Sequence, residues 1–239
     1  MSRAASPPAR WTAREAERWL LSREMFGMRL GLERMRALLA ALGDPAPAPA
    51  LVHVVGTNGK SSTVRMTAAI LERHGLRAGG YLSPHLVSFT ERIRVGDADL
   101  GDDAFAAAVA RTAQAAEGVE RRLGEDRVTQ FEALTAAAFV ALEGHRLDVA
   151  VLEAGLGGRH DATNVVDAGV VVLTNVDLEH TRWLGDTIAA IAREKLAVLG
   201  PGATLVVGAD LHPDALAEAE LAAARHGARL VRAPADPGV

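Results

Sequence analysis

From Leu51 onward, short aliphatic runs alternate with longer stretches in which apolar residues return every three or four positions. The short runs have the length of buried strands and the longer ones the period of helices. Their alternation predicts an α/β fold, a mostly parallel sheet with flanking helices. Strands are expected at residues 51–55, 78–82, 148–152, 170–173 and 204–207, with a last, less apolar one at 229–231. Helices are expected at residues 62–74, 103–122, 129–143, 186–199 and 213–226.

The first 50 residues read differently. Residues 1–10 are rich in Ala, Ser and Pro and are expected to be a frayed terminus. Thr12 followed three positions later by Glu15 is a capping-box pattern, so a helix should open there and carry Trp19 and Leu20. A second helical pattern runs from Leu32 through Met35 and Leu39 to Leu42, stopped by Gly43. The spaced prolines Pro45, Pro47 and Pro49 then favour an extended spacer. The expected organisation is therefore a helical segment and Pro/Ala linker over residues 1–50, then an α/β domain over 51–239.

Composition narrows the possible functions. With 49% hydrophobic and 23% charged residues this is an ordinary globular chain, but only 4% are aromatic, so the core must be aliphatic. A net charge of −4 gives no reason to expect nucleic-acid binding. With no cysteine, disulfides and thiolate chemistry are excluded, and any metal must be held by oxygen or imidazole, which favours magnesium over structural zinc. No apolar run approaches the ~20 residues of a membrane span, and the first residues lack a signal-peptide core, so a cytoplasmic location is expected.

Gly56-Thr57-Asn58-Gly59-Lys60-Ser61-Ser62 follows the first strand and precedes a helix. Glycines that let backbone N–H groups approach an anion, a lysine charge and a helix N-terminus together describe a phosphate-binding loop. Val54 stands where the first glycine of the strict pattern belongs, so the loop is a variant. A tight strand-to-helix turn with an exposed lysine is the plainer reading. Ligands of such sheets bind beyond the carboxyl ends of the strands. Ser83, His85, Glu153, Asn175, Asp177 and His180 all follow strands, and Lys195 sits on the helix after them. Each alone has an ordinary structural use; their convergence on one edge is what counts. Gly155, Gly157 and Gly158 lead into Arg159 and Asp161, which suits a loop bent round a polar ligand or merely a long turn. Thr129-Gln130-Phe131-Glu132 reads first as a capping box.

Taken together these segments resemble the folylpolyglutamate synthase and dihydrofolate synthase family, a branch of the Mur-ligase-like ATP-dependent amide ligases. The resemblance is carried by Leu30-Gly31-Leu32-Glu33-Arg34-Met35, by His53 to Lys60, and by Ser83-Pro84-His85-Leu86. It continues through Thr129 to Glu132, Leu152 to Arg159, His180 to Thr187 and Arg193-Glu194-Lys195. It implies that ATP phosphorylates the carboxylate of dihydropteroate or a folate, and that the amine of L-glutamate then attacks the acyl phosphate. Gly56 to Ser62 would cradle the phosphates, with Lys60 on the outer ones. Ser83, Glu153 and His180 would bind magnesium, at two sites, and Lys195 would join them after carbamylation by carbon dioxide. Lys60, His180 and Lys195 would carry the chemistry, while Thr129, Phe131, Arg159 and Asp161 would line the pterin site.

There are departures. Ser61 replaces the family's usual glycine, His160 an apolar residue, and Arg182 an acid. Family members also continue well over a hundred residues further, with a second α/β domain. The expectation here is therefore a fragment or a natural short form, monomeric, without the C-terminal ligase domain. A non-catalytic nucleotide- or pterin-binding remnant and a Mur-type ligase for a peptidoglycan precursor are the competing readings.

Overall fold

Eight strands form one sheet in the order β4-β3-β2-β5-β1-β6-β7-β8. The computed structural model describes residues 11–23, 31–124 and 126–234. The expected terminus at residues 1–10, Leu30 of the first motif and the segment after residue 234 lie outside the described residues. Strands β1 (Ala50–Val55), β2 (Ala78–Tyr81), β5 (Val149–Glu153), β6 (Val170–Leu173), β7 (Thr204–Val207) and β8 (Arg229–Arg232) are mutually parallel, as their aliphatic content predicts. An antiparallel pair, β3 (Ile93–Val95) and β4 (Ala98–Asp99), extends the β2 edge. Runs of three and two residues are too short for a period to register in the sequence.

Helix α3 (Lys60–Arg73) covers one face of the sheet through Val64 and Ala68, which pack on Val54, Val151 and Leu82. The other face carries α4 (Asp102–Leu123) and α5 (Gln130–Gly144) at one end, and α7 (Ile188–Lys195) and α8 (Pro213–His226) at the other. Alanine lets these helices approach closely: Ala133, Ala136, Ala137 and Ala138 of α5 are all fully buried. Helices α1 (Ala13–Leu21) and α2 (Glu33–Leu42) lie in the same core as α4 and α5, through Ala16, Leu20, Met35 and Leu38. The proline spacer thus marks a change of composition, while packing runs continuously across it.

Two boundaries move relative to expectation, and both matter for the site. Helix α3 starts at Lys60, two residues early, because Gly59 at φ +78° is its N-cap and the loop lysine already lies in the first turn. The helix expected over 186–199 begins at Ile188, after Thr187, whose hydroxyl caps it, and loosens into a 3-10 turn after Lys195. A separate short helix, α6 (Thr181–Leu184), precedes it. Among the described residues no helix is long and apolar enough to cross a membrane.

Candidate active site at the carboxyl edge of the sheet

After β1 the chain leaves for β2 on one side, and later strands fill in on the other, so β1 marks the switch point at whose carboxyl end ligands bind. The phosphate loop sits there. Gly56 (φ +150°) has to be glycine, since a Cβ would stand 1.9 Å from Thr174 Oγ1. The residues after β6 hold the loop from outside. Thr174 Oγ1 donates to the Asn58 carbonyl at 2.6 Å, Asn58 N donates to Asn175 Oδ1 at 2.8 Å, and Thr57 N donates to the Asn175 carbonyl at 3.0 Å. Inside the loop, Lys60 Nζ folds back to donate to the Gly56 and Thr57 carbonyls at 3.0 and 3.1 Å.

Glu153 ends β5, beside Val54 of β1, and is almost fully buried. Its carboxylate accepts from Ser61 Oγ at 2.8 and 3.0 Å and from the Ser83 backbone N–H at 3.1 Å. Burial raises its pKa, opposed by those donors and by the charges of Lys60 and Arg92. The helix turn that carries Lys60 therefore also brings a hydroxyl to the carboxylate. Ser62, the next residue, has an exposed side chain at the same helix end.

Lys195, the last residue of α7, is buried beneath the loop. Its Nζ donates to the Gly56 carbonyl at 2.9 Å and to Glu179 Oε1 at 2.6 Å. Burial pushes the amine pKa down, Glu179 pulls it up and Lys60 pushes it down again. The sequence reading missed Glu179, although it adjoins His180 after a strand. His180 has a left-handed backbone (φ 45°) and caps α6. It makes no side-chain hydrogen bond among the described residues.

Among the described residues no three His, Asp or Glu side chains close into a cation cage. The predicted set of Ser83, Glu153, His180 and Lys195 contains a single carboxylate, and the Lys195 amine is engaged by the Gly56 carbonyl and Glu179. One carboxylate with hydroxyls beside a phosphate loop still fits magnesium, which keeps several waters and binds through one or two carboxylates plus substrate phosphates.

The second half of the site is a wall. Phe131 lies against Gly155, where a Cβ would stand 2.5 Å from the ring's Cζ, and 6.2 Å from the ring of Tyr81. Thr129 caps α5 in the expected capping box: its hydroxyl accepts from Glu132 N at 3.3 Å and donates to Glu132 Oε2 at 3.0 Å. Buried Arg34 braces Glu132 through Nε at 3.1 and 3.2 Å, tying two distant motifs together.

Arg159 and Asp161 have partners other than a pterin. Arg159 Nε donates to Glu194 Oε1 at 2.8 Å, and its backbone N–H to the Glu194 carbonyl at 3.1 Å. Asp161 is buried, and its carboxylate accepts from Leu156 N, Thr163 N and Thr163 Oγ1 at 2.8, 3.0 and 2.5 Å, which shapes its own loop. Because the Thr163 hydroxyl donates to Asp161, it must accept from His53 Nε2 at 2.8 Å, and His53, held near pKa 4 by burial, stays neutral.

Gly155, Gly157 and Gly158 meet Phe131, Leu184 and the Lys195 carbonyl in turn. One loop thus spaces the aromatic wall, α6 and the buried lysine.

The chain matches the Mur ligase middle domain family over residues 54–227. It is 40% identical over 215 residues to the dihydrofolate synthase/folylpolyglutamate synthase of Escherichia coli (strain K12), covering 90% of this chain and 48% of that protein. With the Bacillus subtilis (strain 168) protein of the same name it shares 38% over 216 residues, covering 90% and 50%. Among solved structures, an FPGS-AMPPCP-folate complex superposes with a TM-score of 0.88 at 37% identity, covering 93% of this chain and 54% of that one. E. coli FolC in complex with DHPP and ADP gives 0.83 at 38%, covering 95% and 52%. The chain spans about half the length of these relatives.

Proposed function

Because the chain belongs to the Mur ligase middle domain family, and its curated relatives are folylpolyglutamate and dihydrofolate synthases, we propose that it serves the ATP-dependent addition of L-glutamate to dihydropteroate or a reduced folate. The observation that carries this reading is the meeting of Lys60 and Lys195 at the Gly56 carbonyl, with the next residue, Ser61, bonded to Glu153. That arrangement offers concentrated positive charge and a carboxylate at the end of a phosphate loop. A carboxylate is a poor electrophile until phosphorylated, and catalysis of that step is mostly positioning and charge neutralisation.

In this reading Lys60 leaves its loop carbonyls for the outer phosphates, while the first turn of α3 donates backbone N–H groups to them. Glu153, with Ser61, Ser83 and His180, would hold magnesium. When bound, magnesium neutralises charge that develops on the phosphates. Phe131 stacks on the pterin ring. Thr129 and the Gly155–Asp161 loop shape that pocket, with Arg159 and Asp161 acting through the loop they brace.

Lys195 has two states in this proposal. As the ammonium it pairs with Glu179. As the neutral amine it adds carbon dioxide, releasing a proton and forming a carbamate that carries negative charge toward the cation. Burial favours the neutral amine and Glu179 opposes it. The reading implies a cytoplasmic, monomeric protein, working where ATP is supplied.

The test is incubation with ATP, magnesium, dihydropteroate and L-glutamate, with mass spectrometry of the products. Glutamylated product with matching ADP and phosphate is expected, unaffected by an excess of a peptidoglycan nucleotide precursor. Folded protein yielding none would overturn the proposal.

A further inference from the structure

Phe131, the proposed pterin wall, stands between two buried polar residues in the first turn of α5, and a different N-terminal helix holds each of them. Gln130 Nε2 donates to the carbonyl of Leu20, in the last turn of α1, at 3.1 Å. The Glu132 carboxylate meets Arg34, in the first turn of α2. Arg34 Nε lies 3.1 and 3.2 Å from its two oxygens, and Nη2 lies 3.0 Å from Oε1. Asp126 adds a second carboxylate 3.7 Å from Arg34 Nη1. Glu132 Oε2 also accepts the Thr129 N–H at 2.9 Å and the Thr129 hydroxyl at 3.0 Å. One carboxylate thus joins α2 to both donors of the residue that caps α5.

Capping alone does not call for the arginine. The boxes at Thr12–Glu15 and Ser88–Glu91 close with no arginine hydrogen-bonded to their glutamates among the described residues. Nor does stability, because the desolvation of a buried ion pair offsets much of its attraction. What a planar guanidinium fork imposes on a carboxylate is direction. Direction matters at this turn because the Phe131 ring fits a place with no slack. It occupies the space that a Cβ on Gly155 would need, 2.5 Å from Cζ, and its centroid lies 6.2 Å from that of Tyr81. Where the ring lies therefore depends on how the first turn of α5 is set.

We propose that Arg34 is a positioning residue for the aromatic end of the substrate: through Glu132 it sets the first turn of α5 so that Phe131 meets the pterin ring, which makes the two N-terminal helices part of the binding site. Arg34 touches no substrate and makes or breaks no covalent bond; it holds the group that does the binding. The inference rests on the ligase reading and on Phe131 as its pterin wall.

The test is calorimetric titration of the full chain with dihydropteroate and, separately, with ADP and magnesium. The double variant Arg34→Met with Glu132→Gln leaves neither member of the pair as a lone buried charge, and glutamine still closes a capping box, so the tie to α2 is what it removes. It should bind dihydropteroate about 3- to 10-fold more weakly, the scale of one misplaced aromatic contact, and ADP as wild type does. Arg34→Lys, which keeps the charge without the fork, should lie between. Added to Phe131→Leu, the double variant should cost nothing further, because no ring remains to be placed; a merely structural role would cost the same with or without the ring. Undiminished affinity for dihydropteroate, an equal loss for ADP, or an equal loss without the ring each overturns the inference and leaves the ligase reading standing. Wild type that does not bind dihydropteroate overturns the ligase reading, and the inference with it. Should the double variant not fold, judged by circular dichroism, Arg34→Lys decides by the same comparisons: a loss confined to dihydropteroate and to the chain that keeps Phe131 supports the assignment, and any other pattern overturns it.

Discussion

Lys60 and Lys195 donate to one acceptor, the Gly56 carbonyl oxygen, at 3.0 and 2.9 Å. Two ammonium groups so close repel each other, and the fold tolerates them for different reasons. Lys60 lies at the open loop, whereas Lys195 is buried and balanced by Glu179 at 2.6 Å. A polyanion entering this loop would find its counter-charge already in place.

That burial has a consequence for pH. The folded-state pKa of Lys195 lies below its ordinary value of 10.5, so between the two the unfolded chain holds more protons and stability rises with pH. Below the folded pKa the buried charge is a constant cost. Wild type should therefore gain stability over Lys195→Met as pH climbs through this window, and the difference should be flat below it. Urea denaturation of both proteins across that range checks the sign; a falling difference would show that Glu179 outweighs burial.

Gly158 should tolerate no side chain. A Cβ there would stand 2.5 Å from the Lys195 carbonyl and 2.7 Å from that of Glu194, both backbone atoms. Gly158→Ala should lose about 1–3 kcal/mol. Gly144→Ala, where a Cβ would meet nothing within 4 Å, is the control, expected to gain about 0.5 kcal/mol. Equal denaturation midpoints would mean that the glycine loop does not set the position of α7.

Glu153→Gln keeps the side chain's shape and removes its charge. Nucleotide affinity in magnesium should fall about 10-fold or more. Chelating the magnesium should weaken wild type in the same way and leave the variant nearly unchanged. Fluorescence titration with and without chelator reads both; a variant as sensitive to chelator as wild type would place the cation elsewhere.

Phe131 and Gly155 should behave as a coupled pair, since a Cβ at 155 would lie 2.5 Å from Cζ of the ring. Gly155→Ala should be destabilising by about 1–3 kcal/mol, and less so when Phe131 is replaced by leucine. A double-mutant cycle measures the difference. Strict additivity would separate the ring from the loop.

The sequence made the sheet legible because buried parallel strands announce themselves as aliphatic runs, and the phosphate loop because its residues are contiguous. What it concealed were partnerships between distant side chains. Arg159 seemed free for a ligand, yet it clasps Glu194, and Asp161 is spent on Thr163 and its own loop. Glu179 drew no notice because nothing local distinguishes a buried counter-ion from a surface charge. Its meaning comes from burial, and burial comes from the fold.

The most direct test of the account follows oxygen. Dihydropteroate labelled with oxygen-18 in its carboxylate should pass one labelled oxygen to inorganic phosphate for each glutamate added, because the acid oxygen attacks the terminal phosphorus and leaves with it. Phosphate carrying the label, in step with product, is the predicted result. Unlabelled phosphate, with the label retained in the substrate, would contradict an acyl-phosphate ligase.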